Sequence, residues 1–288
     1  MDRFSEKQEQ INQHRSEAIQ LYPALWSNLI AEWNTPDPED RVWLTYSANY
    51  LFRTNNVRWA IDPLTLHWRV EDAPIVDVAH DLRPLSFVLL THEHKDHLDF
   101  DVLSALQDLP IKWVVPEFLL ANVTRPVGLR RENIIIPSDR TPIELEGIRI
   151  LPFDGLHWDA TSDGNFKGVP SMGYQIECNG KRWLFPGDTR TYNASQLPAF
   201  DSVDVAFAHI WLGRGSALLD EPPLLDAFCR FFLDLNPRRV ILTHLSEFGR
   251  DADDYWDDTH VRTVRSRFQD ISTNIPIVSL GMGSSFLI

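Results

Sequence analysis

A mixed α/β fold preceded by a helical N-terminal segment is what this 288-residue chain predicts, on three observations. Short apolar runs of strand length recur through it: Phe87 to Leu90, Ile148 to Phe153, Trp183 to Phe185, Val203 to Ala208 and Val240 to Leu242. Apolar residues at helical spacing follow, with Leu225, Phe228, Phe232 and Leu235 in one stretch and Val261, Val264 and Phe268 in another. The polar, proline-containing stretch Asn34-Thr35-Pro36-Asp37-Pro38-Glu39-Asp40 reads as a linker between residues 1–40, a helical extension, and residues 41–288, the main domain.

Taken in order, the N-terminal helix rests on Leu25, Leu29 and Trp33, and Pro23 fits it only near a helix start. Val42 to Asp62 reads as two strands joined around Thr54-Asn55-Asn56. A helix is expected from Phe100 to Gln107, with Asp99 placed to cap it. Asn179-Gly180, between Tyr174-Gln175-Ile176-Glu177 and Arg182-Trp183-Leu184-Phe185, is a hairpin signal because both residues tolerate positive φ. Asn236-Pro237 stops the helix built on Leu225.

Composition narrows the class. A chain that is 43% hydrophobic and 24% charged can bury a large core, and its net charge of -14 opposes a general grip on nucleic acid or anionic membrane. Cys178 and Cys229 do not make a disulfide framework. The polar start Met1-Asp2-Arg3-Phe4-Ser5 and the lack of a long apolar run make the cytoplasm the expected compartment, with no membrane span.

The chemistry concentrates in Thr91-His92-Glu93-His94-Lys95-Asp96-His97-Leu98-Asp99, directly after the apolar run that ends at Leu90. Three imidazoles and a carboxylate leaving one strand end at such short spacing can converge on a cation, and donors of this kind suit zinc, manganese or iron. A lone histidine would be an ordinary surface or core residue, but three in six residues point to a metal. His157, Asp188 and His244 lie farther along, each just past another apolar run. A rigid sheet brings such distant strand ends to one rim.

With His92, His94, Asp96 and His97, then His157, Asp188 and His244, the chain resembles the metallo-β-lactamase superfamily from about Val42 to the C-terminus. The Gly187-Asp188-Thr189 segment and the Ala60-Ile61-Asp62-Pro63 segment are most similar to its lactonase and phosphodiesterase branch. The resemblance implies a four-layer αββα sandwich with the site along one edge. It also implies two divalent transition metals, zinc first with manganese and iron as alternatives: His92, His94 and His157 on one, Asp96, His97 and His244 on the other, Asp188 bridging both. The function implied is hydrolysis of a small anionic ester, lactone or phosphodiester by hydroxide, with Asp96 and His209 as catalytic residues. RNA or DNA processing and an iron-dependent non-hydrolytic role, such as a sulfur dioxygenase, are the alternatives.

Several other residues carry narrower expectations. Asp62 is the candidate to orient a metal-bound imidazole from behind, against a plain turn-starting aspartate. His209 sits where ribonuclease Z-like enzymes carry a proton-donating histidine, although Ile210 and Trp211 replace the glutamate that follows there. Arg214, in Gly213-Arg214-Gly215, and Lys167 are candidate contacts for an anionic substrate. His14, His67, His80 and His260 match no motif and read as surface residues. The expected partner is a small molecule, with a homo-oligomer left open.

Overall fold

A computed structural model describes residues 2–160, 166–271 and 275–288. Its strands in chain order are β1 (Arg41–Leu44), β2 (Tyr50–Thr54), β3 (Val57–Ile61), β4 (Phe87–Leu89), β5 (Lys112–Val114), β6 (Ile134–Ile135), β7 (Ile143–Leu145) and β8 (Ile148–Asp154). They continue with β9 (Trp158–Ala160), β10 (Phe166–Gly168), β11 (Met172–Cys178), β12 (Lys181–Phe185), β13 (Val205–His209), β14 (Val240–Thr243), β15 (Ile277–Ser279) and β16 (Ser285–Leu287). The helices are α1 (Arg3–Asn34), α2 (Leu66–Arg69), α3 (Val78–Asp81), α4 (Phe100–Leu106), α5 (Leu120–Thr124), α6 (Leu225–Asp234) and α7 (Asp258–Ile271).

Among the described residues the larger sheets have seven strands each, in the orders β16-β1-β2-β3-β4-β5-β6 and β15-β14-β13-β12-β11-β8-β7. Strand alternation explains the layering. Val42, Phe52, Trp59, Phe87 and Val114 face inward and meet Tyr174, Ile176, Trp183, Phe207 and Ile241 of the second sheet. Their chain neighbours Trp43, Leu51, Ala60, Val88 and Trp113 face outward into a core shared with α1 and α4. On the other side, Leu184, Ala206, Ala208 and Leu242 pack beneath Phe228 and Phe232 of α6 and Val261, Val264 and Phe268 of α7. The expected α/β fold, helices outside two facing sheets, is what forms.

Three local expectations change. Pro23 lies inside α1, not near its start. The helix survives the missing N–H because Tyr22, Trp26, Leu29 and Trp33 are buried around it, so packing outweighs the local cost. Val42 to Asp62 holds a strand more than the two read from the sequence, since β1 and β2 are joined by a short buried connection. His260 is buried rather than superficial, held by Asp257 and by the Ala217 carbonyl at 2.8 Å from Nε2.

The end of α1 has no basic residue of its own in the last turn. Arg53 and Arg58, from β2 and β3, supply the missing donors: Arg53 Nη1 reaches the Glu32 carbonyl at 3.0 Å and Arg58 Nη2 the Asn34 carbonyl at 2.8 Å. These cations satisfy orphan carbonyls and oppose the negative helix end, which ties α1 to the first sheet. The Asn179-Gly180 hairpin forms between β11 and β12, with φ of 51° and 73°. No helix among the described residues is long and apolar enough to cross a membrane.

Candidate metal centre

Parallel pairing aligns the strand ends that carry the site. In the first sheet β3 and β4 run parallel, so Asp62 and the His92 to Asp99 loop emerge side by side. In the second, β12, β13 and β14 run parallel and deliver Asp188, His209 and His244 to the same edge. His157 follows β8. Besides a smaller group of Asp62, His92 and His97, two four-membered ligand groups result, each with its donor atoms within 4.8 Å of one another: His92, His94, His157 and Asp188, and Asp96, His97, Asp188 and His244. Asp188 belongs to both.

The donor set fits a pair of cations on physical grounds. His92 Nε2 and His97 Nε2, both turned into the cluster, are buried without a hydrogen-bond partner, which is costly unless something else coordinates them. His94 Nδ1 lies within hydrogen-bond distance of His157 Nε2, at 3.1 Å, so both nitrogens point to the same spot. Burial pushes the Asp188 carboxyl up, but His244, His97 and the His209 hydrogen bond together hold it well below the usual carboxylate range. Burial likewise drives His92 well below its usual value and His157 down to about 3, leaving both rings neutral.

The supporting contacts fix how these groups point. Asp62 accepts from the Thr91 amide at 2.9 Å and from His97 Nδ1 at 2.8 Å, so His97 turns Nε2 toward Asp188, 3.4 Å away. Asp99 accepts from the amides of Asp101 and Val102 and caps α4, as its place before that helix predicts.

His209 reaches the cluster with both ring nitrogens engaged: Nδ1 lies 2.8 Å from Asp188 Oδ1 and Nε2 lies 2.9 Å from the Tyr50 hydroxyl. Burial takes its pKa down to about 4 against the pull of Asp188, so the neutral ring donates from Nδ1 and accepts at Nε2. Tyr50 in turn meets Thr243 Oγ1 at 2.6 Å. Both ring nitrogens of His209, the residue expected from the sequence to donate a proton, are thus engaged within the cluster.

Sequence reasoning missed three supports. Asn49 donates to the backbone carbonyls of Asp62 and Asp96 at 2.9 and 2.8 Å, joining the two halves of the first-sheet rim. Arg250 reaches Asp96 Oδ2 at 3.3 Å, and Glu247, itself held by Arg69 at 2.8 Å, pairs with Arg250. No spacing rule flags such residues, although the position of Glu247 and Arg250 just after His244 was a signal that could have been followed. Arg214 is exposed beside the centre, on the rim of a cavity of about 250 Å³ that His94 and Asp96 also line. The side chain of Lys167 and residues 161–165 lie outside the described residues.

Comparison with known proteins adds to this geometry. The chain is similar to the UPF0173 metal-dependent hydrolase of Thermoplasma acidophilum, 32% identical over 142 residues, and to that of Alkaliphilus metalliredigens, 27% identical over 128 residues. The matches cover 48% and 44% of this chain and 59% and 55% of those proteins, so the chain spans little more than half the length of these relatives. Igni18, a metallo hydrolase from Ignicoccus hospitalis, shares the fold with a TM-score of 0.61 at 17% identity, over 86% of this chain and 98% of its own. Residues 58–245, which span both ligand groups and the strands that carry them, match the beta-lactamase superfamily domain, and the chain belongs to the metallo-β-lactamase superfamily.

Proposed function

We propose that the protein is a metal-dependent hydrolase that uses two divalent transition metals on a small ester, lactone or phosphodiester. The observation that carries this reading is the carboxylate of Asp188, shared by two ligand groups in which His92 Nε2 and His97 Nε2 are buried without a hydrogen-bond partner. His92, His94 and His157 would hold one cation, Asp96, His97 and His244 the other, and Asp188 both. When bound, such a pair supplies Lewis acidity, making hydroxide available near neutral pH and polarising the electrophile.

The chain's own groups set the orientation of that chemistry. Asp62 holds His97 in the tautomer that presents Nε2, and His209 holds Oδ1 of Asp188. In this reading His209 is a positioning residue, fixed from behind by Tyr50, and not the general acid. Burial raises the Asp96 carboxyl, but His244 and His97 hold it well below its usual range, and Arg250 reaches its Oδ2 from the other side. The relatives named as metal-dependent hydrolases support the reaction class.

The test is elemental analysis of the purified protein, followed by hydrolysis of activated 4-nitrophenyl esters and bis(4-nitrophenyl) phosphate after chelation and reloading with zinc, manganese or iron. Two metals per chain and metal-restored turnover are expected. A single metal at saturation, or no turnover with any of the three, overturns the proposal.

A further inference from the structure

The cavity of about 250 Å³ beside the centre is lined by five cationic side chains, Arg69, Arg190, Arg214, Arg250 and Lys95, against the carboxylates of Asp96 and Glu247. That balance is unusual in a chain of net charge -14. Two of the five are committed: Arg69 bonds Glu247 at 2.8 Å, and Arg250 bonds Glu247 and Asp96. Arg190, Arg214 and Lys95 have no carboxylate partner among the described residues.

Arg190 is the best placed of these. Its guanidinium lies 4.1 Å from the centroid of the buried Trp211 ring, so one face is stacked while its in-plane N–H donors have no hydrogen-bond acceptor among the described residues. Its backbone amide is anchored to the Leu156 carbonyl at 2.7 Å, two residues beyond Asp188. A half-buried guanidinium held flat by an aromatic ring, with unfilled donors, is built for planar, forked recognition of an oxyanion. Arg214 comes to the same cavity on a firm turn. Gly213 there has φ 122° and no room for a Cβ against Pro223 and Ser216, and the Gly215 amide bonds Asp254 at 3.0 Å.

We infer that Arg190, backed by Trp211, with Arg214 and Lys95 at the rim, binds a carboxylate or phosphate group of the substrate that is distinct from the bond being hydrolysed. The inference rests on the hydrolase reading and narrows it: the substrate is a small molecule with a permanent anionic group beside its scissile bond. A cavity of this volume suits a small ligand.

Calorimetric titration of the full chain with inorganic phosphate and with malonate tests this, on metal-loaded and on chelator-treated protein. Binding that persists without metal and weakens roughly tenfold to a hundredfold in Arg190→Gln is expected, with Arg190→Lys intermediate because it keeps charge but not the fork. Phosphate tighter than malonate assigns a phosphoryl group, and the reverse order assigns a carboxylate. If Arg190→Gln loses its near-ultraviolet dichroism, the exposed Arg214→Gln replaces it, with about a threefold to tenfold loss expected. In turnover, Arg190→Gln should lose at least about tenfold more on a 4-nitrophenyl ester bearing a free acyl-chain carboxylate than on its methyl-capped counterpart. Anion affinity that tracks metal content and ignores Arg190 and Arg214 overturns the inference. Metal-independent, arginine-dependent anion binding in a protein that hydrolyses nothing would keep the anion site and remove the hydrolase.

Discussion

The metal edge and the inner face of helix α1 are both buried, yet they are built on opposite principles. At the edge, charged and polar groups are crowded at the ends of strands whose pairing leaves them no choice of position: His97 lies between Asp62 and Asp188, and Asp96 between His244 and Arg250. Along α1, Tyr22, Trp26, Leu29 and Trp33 bury apolar surface, and their few polar atoms are satisfied singly, as with Trp33 Nε1 and the Phe52 carbonyl at 2.9 Å. The difference teaches that one region spends stability on chemistry while the other supplies it. Substitutions should therefore separate turnover from folding according to where they fall.

The sharpest separation is expected from Asp188→Ala. Turnover should fall by at least about a thousandfold, and bound metal should drop below two per chain, because both ligand groups lose their common member. Thermal unfolding should shift far less, since the apolar cores on both sides of the site are untouched and His209 Nδ1 is left as a hydrogen-bond donor without its acceptor. A variant that retains near-wild-type hydrolysis at saturating metal would break the comparison.

The converse is Trp33→Ala, which removes a fully buried side chain and its hydrogen bond. A loss of about 3–5 kcal/mol in denaturant unfolding is expected, with turnover per folded molecule unchanged. Reduced specific activity in the fraction shown to be folded would mean that α1 reaches the chemistry after all.

His209→Ala sharpens the contrast within the edge. It should weaken metal affinity by roughly 10–100-fold, as removal of a group behind a ligand does, and the loss should be the same for good and poor leaving groups. A loss confined to alkoxide leaving groups would restore the general-acid role.

The smallest effect concerns Asp257, where burial raises the carboxyl but His260 and Lys7 lower it more, leaving it below its usual range. A depressed carboxyl stabilises the fold above its ordinary pKa and ceases to do so as pH falls through the native value. Asp257→Asn should thus cost about 1 kcal/mol at pH 7 and progressively less below about pH 4, read from unfolding curves at each pH.

What could be read from the chain divides along the same line. His92, His94, Asp96 and His97 were legible because their spacing on one loop encodes the convergence, and His157, Asp188 and His244 because each follows an apolar run. Asn49, Tyr50, Glu247 and Arg190 were not, since their roles arise only when strands distant in sequence are brought into register. Pro23 misled for a related reason. A local cost is visible in one residue, whereas the burial of Trp26 and Trp33 that offsets it depends on the whole sheet beneath.

Asp62 and His244 adopt φ of 45° and 64°, a region that side-chained residues enter at a cost of roughly 1–3 kcal/mol each. Both are strand-end residues whose side chains must leave the sheet sharply to face the centre. Glycine would relax either turn, yet at Asp62 it would strand the Thr91 and His97 donors, and at His244 it would remove a member of the second ligand group. Selection of this scaffold for endurance therefore has to hold these two positions fixed if the cluster is to be kept.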